Sequence, residues 1–202
     1  MTPTAWLIEL DALPARMAAE VAAWLPAATL AGYRAFLDTM FHYTRDSAAR
    51  LRAAAAAADD APLREFLSGL AADEAQHYRL AEADLRALGG CPSAEPPASV
   101  QAFAAAWAAL PPAHAAAWTG ALVALEGVAA HLGAAALPAL SRLGLGKGQA
   151  RFVLLHLEAD ATHGALCRGH ALRLGEQHPE LLLQGARAAA AAWVGMHRCL
   201  AP

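Results

Sequence analysis

His156-Leu-Glu-Ala-Asp160-Ala-Thr-His163 lies within residues 148–174, a run without proline that reads as one long helix. An α-helix turns by about 100° per residue, so positions i, i+4 and i+7 fall on one narrow stripe. His156, Asp160 and His163 therefore point the same way over two turns. Two imidazoles and a carboxylate on one stripe suit a borderline divalent metal such as iron, manganese or zinc. Val153, Leu155 and Leu166 give the same helix an apolar surface, so a merely wetted polar face is the competing reading. Ligands elsewhere in the chain decide between the two.

Outward from that helix, the rest of the 202 residues is also helix-forming. Apolar residues make up 57% and charged residues 16%, enough for a substantial core in one domain. Alanine runs at 53–58 and 188–192 favour helices that approach closely, and aromatic and β-branched residues are too sparse for a sheet. Proline and glycine divide the chain into an N-terminal arm, 1–12, and helices at about 14–24, 28–58, 62–88, 99–110, 113–136, 148–174 and 180–199. No repeat and no long linker appears. The expected object is all-α: a single helical domain over 1–202, a bundle of seven to eight helices.

The formal net charge is −3 with no basic block, which argues against nucleic-acid and membrane-surface partners. Cys91, Cys167 and Cys199 are few and odd in number, as expected of a reducing compartment rather than a disulfide scaffold. No signal peptide is visible, so the expected location is cytoplasmic. The nearest membrane-span candidate, 121–137, is interrupted by Glu126, His131 and two glycines and fits a buried bundle helix better. Alanine-rich bundles of this kind commonly dimerise, so a homodimer is expected.

Two further segments carry the metal reading. In Asp73-Glu74-Ala-Gln-His77-Tyr78, Glu74 and His77 are i and i+3 neighbours on one helix face, the Glu-x-x-His pairing of carboxylate-bridged di-iron bundles. Glu126 is the lone acid in an apolar run from Ala115 to Leu132. A buried, unpaired carboxylate is costly and needs a cation, a proton or a metal; an arginine such as Arg45 or Arg142 is the rival partner. Together these give six candidate ligands: Glu74, His77, Glu126, His156, Asp160 and His163. Three carboxylates against two Fe(II) ions leave a net charge of about +1.

Glu-x-x-His, then a lone Glu on an apolar helix, then His-x-x-x-Asp-x-x-His resembles the heme-oxygenase-like di-iron oxidases and oxygenases, the iron-containing redox enzymes. These belong with the TenA-type thiaminases and pyrroloquinoline quinone synthase. Met40-Phe-His-Tyr-Thr-Arg45, Asp73-Glu74-Ala-Gln-His77 with Leu85-Arg-Ala-Leu-Gly89, and Leu125-Glu126-Gly127 agree with that family's segments, and the similarity spans 32–175. Asp73 stands where a glutamate is usual and Gln76 where a glycine is common, neither being a proposed ligand. The resemblance implies a seven-helix bundle holding two iron ions, with manganese as the alternative metal. It also implies O₂ activation, with an amine, amino acid or fatty acid as substrate and an external electron donor or the substrate itself supplying electrons. Under it, Glu74 and His77 match the first ligand pair, Glu126 the bridging carboxylate, and His156, Asp160 and His163 the ligands of the last core helix.

Around this set, His42 and Arg45 are candidate outer donors or a clamp for a substrate carboxylate, with an interhelical ion pair as the plainer reading. Tyr43 and Tyr78 are candidate pocket residues, and Cys167 continues the His156 stripe. His114, His178 and His197 are expected at exposed helix ends. Two other functions compete: a thiamin-salvage hydrolase of the same fold, for which Cys167 is the one candidate nucleophile near the site, and a metal-free helical binding protein. A true heme oxygenase lacks support, because no histidine precedes His42 as an N-terminal axial ligand.

Overall fold

The computed structural model describes residues 3–111 and 115–202. Among them every regular element is helical. The α-helices are α1 (Pro3–Trp24), α2 (Leu30–Arg45), α3 (Ser47–Ala56), α4 (Ala61–Asp73), α5 (Tyr78–Ala87), α6 (Ala98–Ala108), α7 (Ala115–Gly127), α8 (Ala129–Arg142), α9 (Arg151–Gly175) and α10 (Pro179–His197). Three pairs are separated by only one to four residues. α2 and α3 part at Asp46, α4 and α5 at a 3₁₀ turn over Glu74–Gln76, and α7 and α8 at Val128. With each pair counted once, the described residues form seven helical units, in line with the expected bundle. Pro112 and His114, the expected helix break and surface histidine, lie outside the described residues.

From residue 3 on, the expected arm at 1–12 is instead the first half of α1. Trp6, Leu10, Leu13, Met17 and Val21 are buried at spacings of four, three, four and four, the period of a helix face, and α1 packs on α7, α8 and α10. Pro14, read from the sequence as a helix start, sits inside the helix. It forfeits one backbone hydrogen bond, but it is buried, and its ring faces Gly127, where an added Cβ would stand 2.8 Å from Pro14 Cγ. Burial of the stripe outweighs the local break.

α7 is the axis of the bundle. All eleven residues from Ala115 to Leu125 are buried, between α1, α9 and α10. By length and composition Ala115–Arg142 is apolar enough to cross a membrane, yet its first half is core. Two glycines let α10 press on it: a Cβ on Gly120 would lie 1.9 Å from Leu182 O, and one on Gly185 would lie 1.7 Å from Ala117 O. Gly164 of α9 likewise approaches the Glu126 carbonyl, 3.0 Å from its would-be Cβ. α9 is fixed at its start by Asp84 of α5, fully buried, whose Oδ2 accepts the Phe152 amide at 2.8 Å. A carboxylate on first-turn amides satisfies orphan donors and meets the positive end of the helix dipole. Together these contacts set α9 against α5 and α7 at the height of its histidines.

Candidate metal centre

The 3₁₀ turn is where the first ligand pair sits. In 3₁₀ geometry side chains at i and i+3 eclipse one another, and the His77 amide bonds back to Glu74 O at 3.3 Å. Glu74 Oε1 and His77 Nδ1 are thereby brought to 2.9 Å, but the contact lacks hydrogen-bond alignment and Nδ1 is a buried nitrogen without a partner. Two ligands about 2.1 Å from one ion at a right angle stand about 3 Å apart.

Across from this pair, α9 supplies His156, whose ring lies edge-on to that of His77 at 4.9 Å. Its Nδ1 meets the Phe152 carbonyl at 2.7 Å. Such a bond to a carbonyl sets the tautomer and leaves Nε2 as the lone-pair nitrogen. Burial lowers the pKa of this imidazole, so it stays neutral, the form that ligates.

Two turns of α9 serve two groups of ligands. Glu74, His77 and His156 have one ligand atom each within 4.8 Å of one another, and so do Glu126, Asp160 and His163. All six residues expected from the sequence are therefore brought together, in two triads that the sequence did not divide. In the second triad Asp160 is 7% exposed and its Oδ1 has no hydrogen-bond partner. Burial, then Glu126 and Glu74, push its pKa up to about 9. Glu126 is also raised, chiefly by burial. His163 Nδ1 stands 3.5 Å from Glu126 Oε2 without a satisfying hydrogen bond, and this carboxylate raises the imidazole's pKa. Its Nε2 is 3.7 Å from Asp73 Oδ2. Asp73, set aside in the sequence as a harmless departure, thus adjoins a candidate ligand as an outer carboxylate.

Neither rival partner reaches Glu126. Arg142 donates to Leu25 O and Ala28 O, and Arg45 is exposed, over the Phe41 ring. Among the described residues the only ion-pair partner of Glu126 is His163. Orphaned ring nitrogens on His77 and His163, an orphaned oxygen on Asp160 and mutually repelling buried carboxylates fit divalent cations: each such atom is costly without a partner.

A cavity of about 120 Å³ opens beside both triads, bounded by Glu74, Glu126, His156 and Asp160 and otherwise mostly by apolar side chains including Phe36, Leu125, Phe152 and Leu157. It has room for on the order of ten waters or one small organic molecule. A second, almost wholly apolar space of about 70 Å³ adjoins it at Phe36, Leu132, Val153 and His197.

The secondary candidates are placed differently. His42 is buried and its Nε2 meets Ser93 O and Oγ, both at 3.1 Å, tying down the loop after α5. Arg45 and Tyr78 do not line the cavity, Tyr78 being occupied by Phe41 and Arg79. Cys167 is fully buried, also outside the lining, and burial holds its thiol well above the usual value, the reverse of an activated nucleophile. His197, expected exposed, is buried against Trp193 with its pKa lowered to about 4 by burial, and it borders both spaces. Tyr43, Ser47 and Arg50 also line the cavity. Ser47 and Arg50 are missed in the sequence although their spacing from Tyr43 is the same i, i+4, i+7 that marks the ligand stripe; they follow the α2–α3 break and sit in an alanine-rich run.

A family model described as iron-containing redox enzyme matches residues 34–194. The chain belongs to the iron-containing redox enzyme family. The sequence resemblance to that family is thus borne out, as is the fold. The chain is similar to the crystal structure of a domain of unknown function with a heme oxygenase-like fold from Shewanella denitrificans OS217, with a TM-score of 0.75 over 98% of this chain and 88% of that one. At 18% identity the likeness establishes the heme-oxygenase-like fold alone. No curated protein matches the chain. In this member of the iron-containing redox enzymes, the matched region takes in all six candidate ligands.

Proposed function

We propose that this protein is a non-heme di-iron oxidase or oxygenase acting on a small organic substrate. One ion is held by Glu74, His77 and His156 and the other by Glu126, Asp160 and His163. The observation that carries this reading is the pair of three-residue groups, each with its ligand atoms within 4.8 Å of one another and each giving two residues to the lining of one cavity. Nitrogen and carboxylate donors in equal number suit iron, with manganese next. When bound, the pair supplies O₂ activation and oxidation of the substrate.

The chain's own contribution is position, dryness and proton control. The Phe152 carbonyl holds the His156 tautomer, and Asp84 fixes the start of α9, so three ligands are set by one rigid helix. Apolar walls exclude water from the space where substrate lies, which strengthens every charge interaction inside it. Glu126 and Asp160, both raised by burial, release their protons when cations arrive and are the groups that can take protons back. Electrons come from an external donor or from the substrate, since no flavin or nicotinamide fingerprint is present in the sequence. The buried, protonated Cys167 outside the cavity lining weighs against the thiamin-hydrolase alternative.

The test is anaerobic reconstitution with Fe(II), iron counting, then exposure to O₂ with an oxygen electrode. About two irons per chain and O₂ uptake that is lost in Glu126→Ala are expected. A protein that takes up no iron, or that consumes O₂ equally well without Glu126, contradicts the proposal.

A further inference from the structure

We propose that Arg50 is the anchor for a carboxylate on the substrate, which makes the substrate a small organic acid or amino acid rather than a simple amine. This rests on the di-iron reading for the placement of the reacting end, but the anchor is argued from different residues. Arg50 lines the same cavity as Glu74, Glu126, His156 and Asp160. One edge of its guanidinium is tied down: Nη2 donates to Tyr43 O at 2.6 Å and to Ser47 Oγ at 3.1 Å. Its plane rests against two rings, Tyr43 at 5.1 Å and Phe103 at 5.4 Å. Nε and Nη1 make no hydrogen bond among the described residues.

Among the described residues no carboxylate lies within ion-pair distance of this guanidinium. Elsewhere the chain does pair its arginines, as Arg168 with Asp11 and Arg187 with Glu9, both through two parallel bonds. The nearest acid in sequence is Asp46, one turn earlier and exposed. An arginine held by stacking and one edge, on a mostly apolar cavity wall and with no carboxylate within ion-pair distance, keeps the rest of its planar fork for a carboxylate. Charge agrees. With two divalent ions the six ligands carry about one positive charge, and Arg50 adds another, so an anion is attracted and a lone ammonium repelled. The acid group then sits at the Arg50 end, and the remainder of the molecule extends along Phe36, Phe152 and Leu157 toward the triads.

The probe is hexanoate, titrated by calorimetry into the full-length, anaerobically Fe(II)-loaded protein, with hexanamide and hexylamine as neutral and cationic matches. Hexanoate is expected to bind at least tenfold tighter than either. Arg50→Gln abolishes that preference with iron content unchanged, Arg50→Lys keeps part of it, and Arg45→Gln keeps all of it. Should Arg50→Gln fail to fold, the Arg50 Nε–H resonance of the wild type serves instead: it shifts with hexanoate and not with hexanamide. Absence of any preference for hexanoate, or a preference that survives Arg50→Gln, overturns the anchor. Iron uptake is scored separately. A protein that takes no iron yet shows Arg50-dependent hexanoate binding keeps the anchor and loses the metal reading, and the converse result does the opposite.

Discussion

Replacing Asp160 by asparagine should stabilise the metal-free protein and remove the part of its response to iron that comes from the Glu126, Asp160 and His163 site. Asp160 is 7% exposed, its Oδ1 has no partner, and its pKa stands at about 9 against an ordinary 3.8. Between those two values the folded state holds a proton that the unfolded state has released. Stability therefore falls as pH rises through that window, by about 1.4 kcal/mol per pH unit. From pH 3.8 to 7.5 the ceiling is about 5 kcal/mol; sharing of the titration with Glu126 and local relaxation reduce it to about 3 kcal/mol. An asparagine at this position does not titrate and carries no such linkage. At 2–4 °C per kcal/mol for a chain of this size, Asp160→Asn should melt about 6–12 °C above the wild type in chelator at pH 7.5, and the gap should close near pH 4. Added Fe(II) reverses the order, because the ion at the Glu126, Asp160 and His163 site stabilises only the wild type, by about 4.1 kcal/mol at a thousand times its Kd. Thermal melts in chelator and in anaerobic Fe(II), at pH 7.5 and 4, provide the assay. A metal-free variant that melts below the wild type, or one that gains as much from iron, refutes the reasoning.

Four other outcomes follow from the structure. His77→Ala removes a ligand from one triad only, so iron content should fall from about two to about one per chain, read by metal analysis. Because Glu126 and Asp160 are raised by burial and must lose protons to ligate, iron affinity should climb from pH 6 to 9 with measurable proton release. His156, whose pKa is lowered, does not add to that proton release. Gly185→Ala sets a Cβ 1.7 Å from the Ala117 carbonyl and should cost about 3 kcal/mol by forcing α10 off α7. Gly69→Ala on α4, with nothing within 4 Å, should instead add roughly 0.5–1 kcal/mol; melting temperatures check both.

Much of this arrangement is legible in the sequence because it is periodic. The i, i+4, i+7 spacing puts His156, Asp160 and His163 on one stripe of α9, and an acid alone in an apolar run identifies Glu126. The all-α class follows from composition in the same direct way. What escapes is whatever tertiary contact decides. Pro14 reads as a start, yet a buried stripe carries α1 through it back to Pro3. The long segments 28–58 and 62–88 read as unbroken, yet each breaks, at Asp46 and at the Glu74 turn. The second break is what eclipses Glu74 with His77. Arg45 and Arg50 are equally plausible clamps by residue type, and only the position of the cavity shows that the Tyr43, Ser47, Arg50 stripe faces it while Arg45 lies off that stripe. The division of six ligands into two triads depends on which helices face α9 at each turn, a property no spacing encodes.

On the proposed function, these two triads hold two metal ions. The most direct measurement is anomalous scattering at the iron edge from crystals loaded anaerobically with Fe(II). Two peaks about 3.5–4 Å apart, one against Glu74, His77 and His156 and the other against Glu126, Asp160 and His163, are the predicted result. A single peak, peaks away from these residues, or no iron at all at saturating Fe(II) contradicts the account.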